Sequence, residues 1–261
     1  MRAGSRLPGG VGAVAGAAIV IFALPLVALV ARTPWSRLAT ILGSEVVIDA
    51  VRVSAISSVA STALATVLGV PVAAVLARGT FRGRSVVRSV ITLPMVLPPV
   101  VGGAALLFAF GRRGLLGEPV YDATGLLLPF SIWGVILANT FVALPFLVIT
   151  VEGGLRNLDA RYETAAAGLG AVPWTVFRRI TLPMARPAIT AGMVLAWARA
   201  LGEFGATVTF AGNLQGRTQS LPLAVFVSLE SDRDAAIAIS LLMVVISLAL
   251  LIGLRDRWWQ R

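Results

Sequence analysis

The sequence YETAAAGLGAVPWTVFRRITLP, which spans Tyr162 to Pro183, is the longest stretch that predicts a structured element outside a membrane. Asn157 or Asp159 can cap a short helix just before it, because a side-chain oxygen at the cap accepts a hydrogen bond from a free backbone amide. Asp159 and Glu163 then lie near the first turn, where the positive end of the helix dipole favours acidic residues. We therefore predict that a helix begins at the start of this stretch.

The middle of the stretch predicts a turn between two helices. The three alanines at 165–167 form helix readily and have almost no bulk. Gly168 and Gly170 can end that helix in a left-handed turn, and Pro173 suits the first turn of a second short helix over residues 173–180. The result would be a compact helix–turn–helix whose smooth alanine face suits docking against a partner. An ordinary amphipathic loop at the membrane surface is the alternative.

Composition places this stretch in a membrane protein. The chain has 261 residues, of which 57% are hydrophobic and 13% are charged, and its mean hydropathy is +0.90. Soluble domains carry roughly a quarter charged residues, whereas this chain has several segments of about 20 apolar residues, each long enough to cross a bilayer as a helix. Cysteine and histidine are both absent, which excludes disulfides and thiolate chemistry and removes the commonest metal ligand and general base.

We predict an all-α integral membrane protein with about six transmembrane helices, in which residues 1–261 form a single transmembrane domain. The predicted spans are residues 11–31, 53–77, 90–110, 131–151, 188–210 and 235–254. The third span is interrupted by Pro94, Pro98 and Pro99, and such breaks are tolerated where protein or a cavity satisfies the freed backbone groups. A bent helix that lines a path is the functional interpretation, and a kink made for packing is the alternative.

The arginines set the predicted orientation. If both termini are cytosolic, that side holds fourteen of the 22 basic residues and four acids, whereas the outer side holds seven of each. This asymmetry follows the positive-inside rule and places residues 156–183 in the cytosol. The four arginines within residues 78–88 are wedged between two spans, so they indicate topology and not a nucleic-acid site.

The fifth predicted span carries a charged pair. Arg199 and Glu203 lie four residues apart, on one face of a helix, and Thr207 adds a hydroxyl four residues further along. Charges at membrane depth are costly and usually face a partner or a water-filled route. Two interpretations stay open, a neutralised structural pair inside the bundle and a role at a gate.

Seven residues of the 162–183 stretch are spaced as in a known permease family. They are Glu163, Ala165, Ala166, Gly170, Ile180, Leu182 and Pro183. At this spacing the stretch resembles the EAA loop of ABC-importer permeases, the coupling helix that in that family docks into a groove of a cytosolic ATPase. The acidic residue often found directly before the two alanines is Thr164 here, so the resemblance would assign the acidic role to Glu163. It implies that residues 156–183 form a cytosolic coupling-helix loop.

Three further segments resemble permeases for tetrahedral oxyanions. They are LPMVLPPVVGG at 93–103, ARALGEFGATVTFAGN at 198–213 and TQSLPLA at 218–224. They are most similar to molybdate permeases, with sulfate or thiosulfate permeases as the alternative. The resemblance implies the membrane-spanning permease subunit of an ATP-driven ABC importer for molybdate or tungstate. The residues expected at the translocation path or gate are Pro98, Pro99, Arg199, Glu203 and Thr207.

The same resemblance implies the partners. Permeases of this kind form homodimers, two ATPase subunits bind the coupling helices, and an extracytoplasmic oxyanion-binding protein delivers the anion. The expected location is the lipid bilayer of a bacterial or archaeal plasma membrane. The sequence contains no Walker motif, so ATP and magnesium are expected in the partner subunit. This chain is expected to be no enzyme and to bind no cofactor, metal or nucleic acid.

Two other functions fit the sequence less well. An ion-coupled secondary transporter normally needs several intramembrane carboxylates or histidines, and Glu203 is the only carboxylate within a predicted span. An intramembrane enzyme would need a nucleophile with a base, or paired carboxylates, and the predicted spans contain neither histidine, cysteine nor such a pair.

Overall fold

The computed structural model describes the backbone of residues 9–258 and the side chains of residues 10–253. Over this range the secondary structure is helical, without strands, as predicted for an all-α membrane protein. The α-helices in chain order are α1 (Gly9–Ala31), α2 (Leu38–Leu42), α3 (Glu45–Arg78), α4 (Arg84–Thr92), α5 (Pro99–Phe110), α6 (Gly117–Thr124), α7 (Ile132–Arg156), α8 (Arg161–Gly168), α9 (Pro173–Val176), α10 (Leu182–Leu201), α11 (Gly205–Phe210), α12 (Leu221–Ser231) and α13 (Arg233–Trp258). The two chain termini, predicted to be cytosolic, lie outside the described residues.

Four described helices are long and apolar enough to cross a membrane. They are Gly10–Ala31, Glu45–Arg78, Ile132–Arg156 and Arg233–Gly253. A fifth candidate is the pair Arg84–Met95 and Pro99–Phe110, which is bent by 115°. These five cover the first, second, third, fourth and sixth predicted spans, and the number of spans stays a prediction.

The predicted fifth span, 188–210, is not one helix. Helix α10 begins earlier, at Leu182, and ends at Leu201, and α11 begins only at Gly205. Gly202 follows α10 as its C-cap. The four-residue spacing of Arg199, Glu203 and Thr207 therefore does not continue along a single helix.

Proline chemistry explains the bend in the third predicted span. A short 3₁₀ turn, Leu93–Met95, follows α4, and Pro98 then adopts an extended conformation with ψ of 132° before Pro99 begins α5. Neither proline can donate a backbone hydrogen bond, and each disfavours helix in the residue before it. The sequence prediction of a bent segment is confirmed.

The chain forms two compact units, one comprising residues up to Val47 together with those from Ala224 onward, and the other Ile48–Leu223. In the first unit α1 and α2 pack against α13, and Arg37 pairs with Asp234 at 2.7 Å. Helix α1 is apolar, and all of its residues from Gly10 to Ala31 except the half-buried Leu29 are exposed, as expected of a helix surrounded by lipid.

Helix α7 is the centre of the second unit. Its fully buried residues Leu147 and Val151 pack in one core with α3 and α10. Small residues allow the close approach: a Cβ at Gly69 of α3 would lie 2.7 Å from Leu147 Cδ2, and one at Gly192 of α10 would lie 3.2 Å from the Leu147 carbonyl. Glycines at helix contacts are typical of membrane bundles, where dispersion contacts replace the hydrophobic effect.

A second core joins α5, α7 and α11. Its buried members include Leu106, Ala138 and Phe210. A Cβ at Gly103 would lie 2.6 Å from Thr209 Cβ and 2.8 Å from the Ala206 carbonyl oxygen, so the backbones of α5 and α11 approach closely. This contact holds α11 in place although α11 has only six residues.

Candidate functional site

The predicted left-handed turn at Gly170 is present in the 156–183 loop. Gly170 has a φ of +84°, which glycine adopts without the cost borne by other residues. Its amide donates to Ala167 O and the Ala171 amide donates to Ala166 O, each at 3.0 Å. This bond pair is a Schellman motif, which satisfies the last carbonyls of α8 and fixes where the chain leaves it.

The start of α8 differs from the prediction. The N-cap position is Ala160, which offers no side-chain cap. Asp159 instead accepts a hydrogen bond from the Arg161 amide at 2.9 Å, and Asn157 follows α7 as its C-cap. Glu163 lies in the first turn of α8 as predicted.

The second predicted helix, 173–180, does not end where expected. Pro173 begins α9 as predicted, but α9 continues through a π-helical turn, Phe177–Thr181, directly into α10. The Leu182 amide donates to Phe177 O, five residues back. Pro183 lacks an amide proton and cannot continue the ordinary ladder at this point, so the wider turn accommodates it. The loop is therefore joined to the membrane bundle by one helical arm over residues 173–201.

The outer surface of the loop is apolar and open. Leu169 is 91% exposed, and Val172, Trp174 and Tyr162 are each more than half exposed. Ala165 and Gly170 are also exposed, and Ala166 is partly buried. Exposed apolar patches of this kind mark surfaces that contact a protein partner or a membrane.

Glu163 faces its own chain. Its Oε2 pairs with Arg78 Nε at 3.4 Å, and its Oε1 accepts a hydrogen bond from the Thr181 hydroxyl at 2.8 Å. Arg78 ends α3 and Thr181 lies in the π-helical turn, so Glu163 links α8 to both. Thr164, the next residue, is exposed. Ile180, Leu182 and Pro183 are partly buried along the arm.

A cavity of about 750 Å³ lies between the loop and the end of α3. Its apolar walls include Pro71 and Val75 of α3 and Val176 of α9, and Arg78 and Glu163 lie at its border. The loop therefore contacts α3 mainly through the ion pair of Glu163 with Arg78.

Sequence reasoning missed Glu152. It is 5% exposed and pairs with Arg156 at 2.7 Å and with Arg88 of α4. The spacing of Glu152 and Arg156, four residues apart on one helix, could have indicated the first pair. The pair with Arg88 joins residues 64 positions apart, which no local pattern reveals.

The predicted charged pair of the fifth span is present. Arg199 Nη1 lies 2.5 Å from Glu203 Oε2, and Glu203 is 2% exposed. Glu203 Oε1 also accepts a hydrogen bond from the Ala206 amide at 2.7 Å. Glu203 thus bridges the break between α10 and α11, since Arg199 belongs to the first helix and Ala206 to the second.

Thr207 is fully buried and does not share a helix face with this pair, contrary to the prediction, because α10 ends before it. Its hydroxyl donates to Asn139 Oδ1 at 3.3 Å, and Asn139 Nδ2 donates to Ser57 Oγ at 3.3 Å. This buried chain of polar groups ties α11 to α7 and α3.

Pro98 and Pro99 are exposed at the start of α5, and Pro99 lies beside the same break. A Cβ at Gly205 would be 2.6 Å from Pro99 Cβ. The structure thus brings together Pro99, the Arg199–Glu203 pair and α11. In the described part of the chain no group of three or more acidic side chains could hold a metal ion.

A family model described as binding-protein-dependent transport system inner membrane component matches residues 65–258. The molybdenum transport system permease protein ModB of Mycobacterium tuberculosis is 50% identical over 243 residues, which cover 92% of this chain and 91% of that protein. The sulfate transport system permease protein CysT of Escherichia coli is 35% identical over 241 residues, covering 90% and 86%.

The fold matches a solved transporter. A chain of a bacterial ABC transporter involved in the import of the acidic polysaccharide alginate superposes with a TM-score of 0.72 over 96% of both chains, at 18% identity. At this identity the match concerns the fold alone.

Proposed function

The chain belongs to the family of binding-protein-dependent transport system inner membrane components, and from this membership we propose that it is the permease subunit of an ATP-driven importer of molybdate or tungstate. The substrate assignment rests on the 50% sequence identity to a molybdenum permease over 92% of the chain. At similar coverage the identity to a sulfate permease is 35%, so sulfate is the second candidate.

The chain itself is a transport subunit and not an enzyme. ATP and magnesium are used by the partner ATPase in this proposal. The 156–183 loop is the docking element for that ATPase, and its exposed apolar residues support this role. A second copy of the chain completes the pathway, and an extracytoplasmic binding protein delivers the anion. The transporter lies in the plasma membrane with both termini in the cytosol.

The helical arm supplies the mechanical link. Helix α8 meets the ATPase, the Schellman turn fixes its direction, and the arm over 173–201 runs about 40 Å at the usual rise per residue. Because the arm ends at the Arg199–Glu203 pair, a displacement of the loop reaches the break before α11 without crossing a flexible segment. We assign Pro98, Pro99, Arg199, Glu203 and Thr207 to the gate on this basis.

The gate residues act by different means. Glu203 holds the end of α10 to the start of α11 through its two oxygens. Thr207 anchors α11 to Asn139. Pro98 and Pro99 set the angle at which α5 meets α11. A movement of the arm would therefore have to break or shift these few polar bonds.

The experiment is reconstitution of the permease in proteoliposomes with its ATPase and binding protein. Molybdate and tungstate should stimulate ATP hydrolysis and be taken up, with sulfate less effective at equal concentration. If sulfate stimulates ATP hydrolysis as well as molybdate does, or better, the chain would be assigned as a sulfate permease. Uptake driven by a proton gradient without ATP would refute the importer mechanism altogether.

A further inference from the structure

We propose that the second unit carries a separate, weak oxyanion-binding site at its predicted outer end. The site is a pocket of about 580 Å³, which we call the outer pocket. It is lined by residues 52, 53 and 56 of α3, residues 130–133 at the start of α7, and residues 216–217. Residues 52, 130 and 216–217 belong to the side that the arginine distribution predicts to be outside, and the other lining residues lie at the outer ends of the second and fourth predicted spans.

Two arginines, Arg52 and Arg217, line this pocket. Arg52 and Arg217 are both exposed, and neither forms an ion pair or a side-chain hydrogen bond with another residue of the described range. In contrast, Arg156 and Arg199 are each paired with a buried glutamate. A guanidinium offers several donors in a planar fork that matches the oxygens of an oxyanion.

The start of α7 adds backbone donors. Ser131 caps the helix by accepting a hydrogen bond from the Gly134 amide at 3.3 Å, and the amides of Ile132 and Trp133 have no acceptor within the helix. Helix α7 is 25 residues long, and the positive end of its dipole lies at these amides. Two arginines and a helix N-terminus therefore converge on one concavity.

One carboxylate opposes them. Asp49 Oδ2 lies 3.2 Å from the point where a Cβ would stand at Gly216, on the rim of the outer pocket. Two guanidiniums against one carboxylate leave an excess of positive charge, but Asp49 weakens the attraction. A weak site suits an anion in transit, because conduction requires that an ion can leave as well as enter.

The ligand class follows from the proposed function, on which this inference rests: a tetrahedral dianion such as molybdate. The pocket is far larger than one such anion, so the anion would be held together with water, each molecule occupying about 30 Å³. The site would collect the anion at the outer mouth before it enters the translocation path.

The test is equilibrium dialysis of the permease in nanodiscs of zwitterionic lipid against molybdate, without ATPase or binding protein. The parent should bind molybdate saturably, and raising the salt concentration should weaken the binding. Arg52→Gln and Arg217→Gln should each lower the affinity between about two- and fivefold, the range for exposed ion pairs. Asp49→Asn should raise it.

A charge-matched control separates local from long-range effects. The double variant R32Q/R113Q removes two exposed arginines from the same predicted side and should leave the affinity unchanged, whereas R52Q/R217Q should lower it about tenfold if the two effects add. Equal losses of molybdate affinity in the two double variants, or no saturable binding of molybdate by the parent permease, would overturn the site. The site would also be overturned if R52Q/R217Q bound the binding protein more weakly but bound molybdate with unchanged affinity, since the two arginines would then recognise the binding protein.

The outcomes distinguish this site from the proposed function. If molybdate binds the isolated permease as described but no oxyanion drives uptake in proteoliposomes, the transport proposal fails and the site stands. If uptake succeeds and the isolated permease binds no molybdate, the site fails and the transport proposal stands.

Discussion

Replacing Gly170 by alanine tests whether the Schellman turn is needed for docking of the ATPase. Gly170 has a φ of +84°, and a Cβ there would meet no atom within 4 Å, so the substitution adds backbone strain without any steric clash. The left-handed conformation costs a residue with a side chain about 1–2 kcal/mol. If only the native turn binds, this strain lowers the apparent affinity for the ATPase by a factor of about 5–30.

The chain offers a matched control two residues away. Gly168 lies inside α8 and also has open space around its Cβ position, so Gly168→Ala makes the same chemical change without strain and should favour the helix. Gly170→Asn should retain most of the affinity, because asparagine tolerates the left-handed region better than alanine.

The assay is titration of the ATPase onto permease variants in nanodiscs, with ATP-driven molybdate uptake measured on the same preparations. The amount of membrane-inserted permease should be equal in all variants, because both glycines lie outside the predicted spans. The turn has no role in docking if Gly170→Ala and Gly168→Ala bind the ATPase with equal affinity.

Three further predictions follow from other contacts. Glu163→Arg should place a cation beside Arg78 and lower coupled uptake, and the additional change Arg78→Glu should restore part of it; an unaltered uptake rate in E163R would show that this pair is dispensable. Gly103→Ala should destabilise the permease by about 1–3 kcal/mol through overpacking, measured as a lower Tm, because its Cβ would lie 2.6 Å from Thr209 Cβ. The control Gly102→Ala meets only the Phe141 ring edge at 3.1 Å, and equal Tm values for the two variants would contradict the close helix contact. Orientation can be read with an impermeant thiol reagent, since the chain has no native cysteine. Single cysteines are introduced at Gly83, Glu118 or Gln215. Reagent added from outside should label the cysteines at positions 118 and 215, and not the one at position 83.

Local rules were sufficient to predict the turn of the 156–183 loop. Gly170 and Pro173 restrict the backbone so strongly that their positions alone indicate where one helix ends and the next begins. The bend at Pro98 and Pro99 was predictable for the same reason. Long apolar runs likewise predicted α1, α3, α7 and α13 as spans, because the length of a run needs no knowledge of its neighbours.

Features that depend on tertiary contacts were not predictable. The continuity from α9 into α10 depends on a π-helical turn, a rare conformation that no residue pattern announces. The break after Leu201 depends on Glu203 finding partners on both sides. The inward orientation of Glu163 depends on Arg78, which is 85 residues away. The resemblance to a coupling loop assigned the acidic role to Glu163, and in the structure this carboxylate contacts Arg78 and Thr181.

The exposed patch of the loop has a consequence for how the transporter is made. Leu169, Val172 and Trp174 are exposed in the permease alone, so under the proposed function a newly inserted copy would display an apolar surface until an ATPase covered it. Exposed apolar surfaces of this kind promote association between copies of a protein. We therefore expect permease yield in cells to rise with co-expression of the ATPase, and permease purified by itself to self-associate through this patch.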